Sequence, residues 1–328
     1  MRNNFKKIIA LEEHFSVPDK ITKKYKMVPP SFSYAQDPGV KRRLLDIETL
    51  RISEMNEAGV DLQVLSLVAP GREQLEIEEA VAFSREVNDY IADIIMKYPE
   101  RFAAFAALPI DDPEKAVDEL ERTVKQYNFK GTMISGNYKG RYLDDPFFEP
   151  LLQGAEDLGV PIYLHPNMPP VPVFEAYYEN GLRKEVAMIF STAGFGWHID
   201  TAVHVLRMIL AGVFDRHPKL QVIIGHLGEG ISFFMERLDR VLPPRLTGLE
   251  KPISAYLKEN VNYTISGFNF IPAFLDLYMH VGAERIMFST DYPYSSMKEA
   301  VQFLNQLPIS DKDKEKIAHE NAERLMRF

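Results

Sequence analysis

Four apolar runs of this chain each end on a side chain able to bind a metal ion. Ile8-Ile9-Ala10-Leu11 runs into Glu12-Glu13-His14, and Val160-Pro161-Ile162-Tyr163-Leu164 ends at His165. Val222-Ile223-Ile224-Gly225 ends at His226, and Ile286-Met287-Phe288-Ser289-Thr290 ends at Asp291. Short apolar runs bounded by turn signals read as buried parallel strands. A polar residue at the carboxyl end of such a strand points into the catalytic mouth of an α/β barrel. Carboxylates and imidazoles offered together at one mouth point to a single divalent ion, and that mixed donor set suits Zn²⁺ or Mn²⁺.

Taken singly, each residue has a blander reading. Glu12 and His14 are two apart, so a strand puts both on one face and Glu13 on the other, toward helices or solvent. An acid there is equally a cap or half of an ion pair. A lone histidine such as His165 is more often a hydrogen-bonded core residue than a ligand; Pro166 fixes an extended exit behind it. Glu229, three after His226, can hold an imidazole in one tautomer and raise its basicity, or be a first-turn helix acid. Asp291 alone could cap the next helix. Only the joint pattern carries the metal reading. His204 could face the mouth, but with His198, His217, His280 and His319 it reads as structural or surface.

The elements that must position these residues follow from the rest of the pattern. Eight strand-like runs stand out: Lys7–Leu11, Asp61–Leu67, Phe102–Leu108, Gly131–Ile134, Pro161–Leu164, Gln221–Gly225, Val261–Ile265 and Ile286–Ser289. Helical spacing fills Ile47–Ala58, stopped by Gly59, and Ile77–Tyr98, stopped by Pro99. Asp112-Pro113 opens a helix to Tyr127, and Asp145-Pro146 opens one to Leu158. Lys184–Phe214 is the longest helical stretch, with Gly194 and Gly196 as its breaks. Eightfold alternation predicts an α/β fold, a closed (β/α)8 TIM-type barrel. A doubly wound sheet would need a glycine-rich phosphate turn after an early strand, and none is present. No linker divides residues 1–328, which predicts one domain. Ser16–Leu45 and Asn167–Gly181 read as extended loops after strands 1 and 5, either substrate walls or surface insertions.

Composition narrows the function. The 328 residues carry a net charge of -9 and no basic block, which argues against nucleic acid. There is no cysteine, so thiolate sites and disulfides are excluded. No run is long enough for a membrane helix, and the first apolar stretch is too short for a signal peptide, so a cytoplasmic protein with no membrane partner is expected.

The motifs Ala10-Leu11-Glu12-Glu13-His14-Phe15, Ile162-Tyr163-Leu164-His165-Pro166, Gly225-His226-Leu227-Gly228-Glu229 and Ser289-Thr290-Asp291-Tyr292-Pro293 resemble the metal-dependent decarboxylase branch of the amidohydrolase superfamily. So do Arg141–Pro146, Gly212–Arg216 and Asn321–Leu325. The likeness is to γ-resorcylate and 2,3-dihydroxybenzoate decarboxylases above all. It implies metal ligation by Glu12, His14, His165 and Asp291, with His226 a nearby acid/base paired with Glu229, and a homodimer or homotetramer. Asn137-Tyr138-Lys139-Gly140 departs from the His-Thr-type pair those decarboxylases often carry.

The expected reaction is nonoxidative decarboxylation of an ortho-hydroxybenzoate. Asp291, supplied through His226–Glu229, would protonate the ring carbon that loses CO₂. An aromatic carboxylate needs an apolar slot, for which Phe15, Phe32, Phe174, Trp197, Phe268 and Tyr294 are candidates. Arg237 or Arg240 could meet its carboxylate or a neighbouring subunit, or face solvent. Two rivals remain: hydrolysis of a lactone or amide by a metal-bound water, and a degenerate barrel serving only for binding or assembly.

Overall fold

The computed structural model describes residues 5–26, 37–68 and 75–328. Eight strands occur in chain order: β1 Ile9–Phe15, β2 Leu62–Leu67, β3 Phe102–Ala104, β4 Thr132–Ser135, β5 Ile162–His165, β6 Val222–Ile224, β7 Val261–Thr264 and β8 Ile286–Met287. All neighbouring pairs are parallel. They form a three-stranded sheet, β1-β2-β3, and a five-stranded sheet, β4-β5-β6-β7-β8. The fold is therefore α/β with parallel sheets. Strand order never reverses within either sheet, so the switch point of a doubly wound sheet is absent. Two isolated parallel bridges, Ala106–Thr132 and Glu13–Tyr292, link the edges of the sheets.

Period-two alternation sorts the strand residues into two cores. Ile9, Leu11, Leu62, Val64, Met133, Tyr163, Ile223 and Met287 share one cluster across both sheets. Ile8, Ala10, Leu65, Ile134, Leu164, Ile224 and Phe288 belong to the larger cluster packed under the helices. Each fully buried aliphatic side chain contributes about 1.5–3 kcal/mol.

The register of β1 on β2 shifts between Ala10 and Glu13. Such a bulge bends a strand and re-aims its side chains. Before it, Ile9 and Leu11 face the core shared by the sheets; after it, Glu12 and His14 turn to the same side. The expected strand Lys7–Leu11 thus runs on to Phe15, and the acidic and imidazole residues lie inside it rather than beyond its end.

The helices follow their signals. In Ile77–Lys97, Ala80, Phe83, Val87, Ile91 and Ile94 form the buried stripe. The Asp112 side chain accepts Lys115 N–H at the start of Pro113–Tyr127. Gly59 and Gly159 end their helices in the left-handed region, at φ 81° and 64°. Lys184–Phe214 is not one helix: it divides into Lys184–Ser191, Gly196–Leu210 and Val213–Arg216, breaking at residues 192–195 as the glycines suggest. The two expected loops need correction. Ser16–Leu45 contains helices Asp19–Lys24 and Pro38–Leu45, and Asn167–Gly181 contains Val171–Phe174 and the π-turn Glu175–Glu179.

One glycine holds a seam between the sheets. Gly131 has φ +132°, and its carbonyl accepts Ala106 N–H at 2.8 Å. A Cβ there would lie 2.2 Å from the Pro161 carbonyl oxygen. Gly131→Ala is expected to cost roughly 2–4 kcal/mol through backbone strain and this clash. Urea unfolding measures it, and an unchanged midpoint would show that the seam tolerates a side chain.

Candidate metal centre

The carboxyl ends of β1, β5, β6 and β8 bring Glu12, His14, His165, His226 and Asp291 to one place. Glu12 is fully buried. Its Oε2 accepts hydrogen bonds from the hydroxyls of Tyr163 and Ser266. Thr264 Oγ1 lies 2.7 Å from the Tyr163 hydroxyl and can donate to it. Glu12 Oε1 has no hydrogen-bond partner, and neither does His14 Nε2. Glu12 Oε1 lies 3.2 Å from His165 Nε2, and His14 Nε2 lies 3.3 Å from Asp291 Oδ1. One donor atom from each of Glu12, His14, His165 and Asp291 falls within 4.8 Å of the others.

This geometry fits one divalent ion. Donors bonded at about 2.1 Å to a common ion sit about 3–4 Å apart. Orphaned buried polar atoms are costly, and two of them aimed at one point need a shared partner. The imidazoles present the right nitrogens. His165 Nδ1 donates to the Pro166 carbonyl at 2.8 Å, which leaves Nε2 free toward the cluster. His14 Nδ1 shares a 3.1 Å bond with Ser66 Oγ.

His226 belongs to a second group beside the first. Its Nδ1 bonds Glu229 Oε1 at 2.8 Å, while its Nε2 lies 3.8 Å from Glu12 Oε1. Glu229 Oε2 takes His198 Nδ1 at 2.6 Å, and Trp197 Nε1 donates to His198 Nε2 at 3.1 Å. One carboxylate thus orients two imidazoles. Four of the residues that build the site, His226, Glu229, Ser266 and Asp291, have φ between 42° and 62°. Non-glycine residues in this left-handed region are strained, and such strain gathers at functional sites.

Burial dominates the electrostatics. It would raise Glu12, but His226, His165 and His14 together hold that carboxyl well below its usual range. It lowers His14 to about 4, so this imidazole is neutral. His226 is pushed up to about 10 because Glu229 and Glu12 outweigh the burial that disfavours its charge. Burial and then the Glu12 charge raise Asp291 to about 7.

A cavity of about 330 Å³ opens above the cluster. His14, His165, His226 and Asp291 share its wall with Leu67, Val68, Met133, Trp197 and Tyr294. A larger cavity of about 680 Å³ lies at the other end of the strands, beside Pro161, Gln221 and Arg285, and none of the cluster's residues reaches it.

Trp197 and Tyr294 therefore stand where a ring could bind. Phe268 packs 5.2 Å from the His226 ring, behind the wall. Phe15 is instead buried in the core under the helices. Phe174 is half-buried in its short helix, outside the cavity lining. Phe32 lies outside the described residues. Arg237 and Arg240 are exposed on helix Ile231–Val241, outside the lining of this cavity, because that helix turns Ile231, Ser232 and Met235 inward. Glu13 faces away from Glu12 and His14, toward Gln63 and Thr290, and is fully buried. Sequence reasoning missed Tyr163, Ser266 and His198. Tyr163 shares strand parity with His165, and that signal was readable. Nothing local marks His198, which lies on a helix and meets its partner 31 residues away.

The profile of the amidohydrolase family matches residues 14–328. The chain belongs to the amidohydrolase family. Among its members, the γ-resorcylate decarboxylase of Rhizobium sp. (strain MTP-10005) is 35% identical, with 98% of each chain covered. The crystal structure of a 2,6-dihydroxybenzoate decarboxylase complexed with 2,6-dihydroxybenzoate is 34% identical. It superposes with a TM-score of 0.86 over 98% of this chain and 99% of that one. A dihydroxybenzoic acid decarboxylase from Polaromonas sp. JS666, with bound manganese and the inhibitor 2-nitroresorcinol, is 33% identical. Its TM-score is 0.87 over 98% of this chain and 97% of that one. This amidohydrolase has no helix, among its described residues, long and apolar enough to cross a membrane.

The Glu229–His226 pair gives the amidohydrolase site a titration signature. In metal-free protein His226 should stay protonated through neutral pH and lose its proton near pH 10. Glu229→Gln removes the nearest negative charge, so the proton should leave at lower pH. Imidazole NMR of the chelated protein reads both values, and an unmoved titration in the variant would refute the pairing.

Proposed function

We propose that this chain is a divalent-metal-dependent carboxy-lyase acting on a hydroxylated aromatic acid of the γ-resorcylate or 2,3-dihydroxybenzoate type. One observation carries the reading: two orphaned buried donors, Glu12 Oε1 and His14 Nε2, belong to a cluster whose His14, His165 and Asp291 line a largely apolar cavity of about 330 Å³. Small-molecule pockets start near this size and use few polar groups to orient the ligand. The relatives named for hydroxybenzoate decarboxylation, one with bound manganese, favour decarboxylation over the hydrolytic alternative.

On this reading Glu12, His14, His165 and Asp291 hold one ion, Zn²⁺ or Mn²⁺. When bound, the ion supplies Lewis-acid charge for the carboxylate and the neighbouring phenolate oxygen. Trp197 and Tyr294 flank the ring and exclude water. Asp291 carries the proton and delivers it to the ring carbon bearing the carboxylate. The bond from that carbon to the carboxyl then breaks, CO₂ leaves, and its electron pair returns to the ring and restores aromaticity. His226, held by Glu229 and backed by His198, lies beside the cluster to return a proton to Asp291.

The same reading extends to architecture. We infer a single (β/α)8 barrel over residues 1–328, closed through the Ala106–Thr132 and Glu13–Tyr292 bridges. We further infer a homodimer or homotetramer, supported by the exposed apolar side chains Phe190, Phe195, Phe233 and Phe234. A cytoplasmic location, with no nucleic acid or membrane as partner, belongs to it too and fits the cysteine-free, acidic composition.

Incubation with 2,6- and 2,3-dihydroxybenzoate should release CO₂ from at least one. A chelator should abolish the release, and added Mn²⁺ or Zn²⁺ should restore it. Asp291→Asn should slow turnover by a factor of about 10²–10⁴, the usual weight of a positioned proton donor. Glu12→Ala should lose the ion by elemental analysis. Lactone hydrolysis without CO₂ release from any hydroxybenzoate would replace this reading with the hydrolytic one.

A further inference from the structure

Glu13 sits between two proposed ligands yet faces away from them. Its Oε1 accepts the Thr290 N–H at 2.8 Å, and its Oε2 accepts the Thr290 hydroxyl at 2.6 Å. Oε2 also accepts Gln63 Nε2 at 3.0 Å. The other end of that amide, Gln63 Oε1, takes Arg51 Nη1 at 3.2 Å. Arg51 is fully buried and donates to the backbone carbonyl of His14. Its guanidinium lies over the Tyr292 ring, 4.5 Å from the centroid.

The path of this network is informative. It starts at the carbonyl of His14, runs through Arg51, Gln63 and Glu13, and ends on Thr290, the residue before Asp291. Tyr292, beneath Arg51, is the residue after it. His14 and Asp291 lie on opposite sides of the seam between β1 and the chain leaving β8. Among the described residues no continuous ladder joins the two strands there: the seam has the bridge Glu13–Tyr292, the bond from His14 N–H to the Tyr292 carbonyl, 2.8 Å, and one from Glu12 N–H to Ser289 Oγ, 2.9 Å. Asp291 is also strained, with φ 62°. A ligand pair split across a weak seam, one member strained, needs external bracing to hold its spacing. A carboxyl and a guanidinium buried at 0% exposure are a costly way to fill space, because apolar residues of similar volume often pack as well or better.

We propose that Arg51, Gln63, Glu13 and Thr290 form a positioning network that fixes the spacing of His14 and Asp291 across the seam, and so sets the affinity of the metal centre. This rests on the assignment of those two residues as ligands. Outer partners of metal ligands typically change affinity by about 10–100-fold when removed. None of the four touches the cavity, so their effect on catalysis passes through the ligands.

Thr290 allows a discriminating test. Thr290→Val keeps the shape and removes the hydroxyl donor; Thr290→Ser keeps the hydroxyl and removes the methyl. The full-length protein, stripped of metal, is titrated with Mn²⁺ in competition with a chromophoric chelator, and the Mn²⁺ EPR line shape is recorded. Thr290→Val should bind Mn²⁺ about 10–100-fold more weakly with an altered line shape, while Thr290→Ser stays near wild type. Gln63→Leu, which cuts the link between Glu13 and Arg51, should weaken binding in the same direction and serves if Thr290→Val fails to fold. Wild-type affinity in Thr290→Val or Gln63→Leu would overturn the proposal. So would equal weakening in Thr290→Ser and Thr290→Val, since the effect would then not follow the hydroxyl. A wild-type protein that binds neither Mn²⁺ nor Zn²⁺ is a different outcome: it removes the ligand assignment itself, and the network's role with it.

Discussion

A carboxylate with no solvent exposure is the constraint around which this structure is arranged. Glu12 is fully buried, and isolated burial of an ionised carboxyl costs several kcal/mol even after relaxation. Its two oxygens are treated differently. Oε2 is satisfied by hydroxyls from β5 and from the loop after β7, while Oε1 is left toward three imidazoles. The surroundings show how closely the carboxylate is fitted. Gly225 must lack a side chain, because a Cβ there would lie 2.6 Å from Glu12 Oε2. The shift in β1 register is equally necessary. Strict alternation from Ile9 and Leu11 would turn Glu13 inward and Glu12 out to the helices. One irregularity in one strand thus decides which acid meets the cluster and which braces it from behind.

The loops after the strands meet a second constraint. Side chains at strand ends point along directions set by the pleat, and convergence on one point demands sharper turns than extended backbone allows. Here the chain turns through left-handed residues at His226, Glu229, Ser266 and Asp291. Each costs about 1–3 kcal/mol. Local bonds offset this. The Asp291 carbonyl accepts Tyr294 N–H at 2.8 Å and Ser295 N–H at 3.1 Å, and Glu229 is fixed by two imidazoles. The apolar core beneath both sheets supplies the stability that tolerates the rest.

Which of these features a sequence displays follows from how local they are. All eight strands were legible because each is a short apolar run between turn signals, and the donors were legible because they end those runs. The bulge in β1 was not, since a register shift leaves no mark in composition, so the apolar run stops at Leu11 in a strand that continues to Phe15. The helices Asp19–Lys24 and Val171–Phe174 are too short for a 3.6-residue period to emerge, and their segments read as loop. Which way Arg237 faces is not legible for a related reason. Its helix buries a narrow stripe, and only packing decides which arginines fall outside it. His198 and the Glu13–Thr290 contact are tertiary: their partners lie 31 and 277 residues away.

Charge balance ties the proposed substrate to the proposed proton donor. Burial keeps His14 neutral, and His165 turns its Nδ1 to a backbone carbonyl, so that a metal ligated through both Nε2 atoms gains no charge from either. Among the four proposed ligands, Glu12 then contributes one negative charge and Asp291 a second only when ionised. With both ionised, a divalent ion is neutralised, and an incoming aromatic carboxylate would be an uncompensated anion in an apolar slot, which is costly. With Asp291 protonated, one positive charge remains, matching a singly charged hydroxybenzoate. Binding the substrate and holding the proton are therefore favoured together. A hydrolytic reaction asks the opposite of the same residue: Asp291 ionised, ready to accept a proton from water. In the metal-free protein the burial and the Glu12 charge that raise Asp291 both oppose that state.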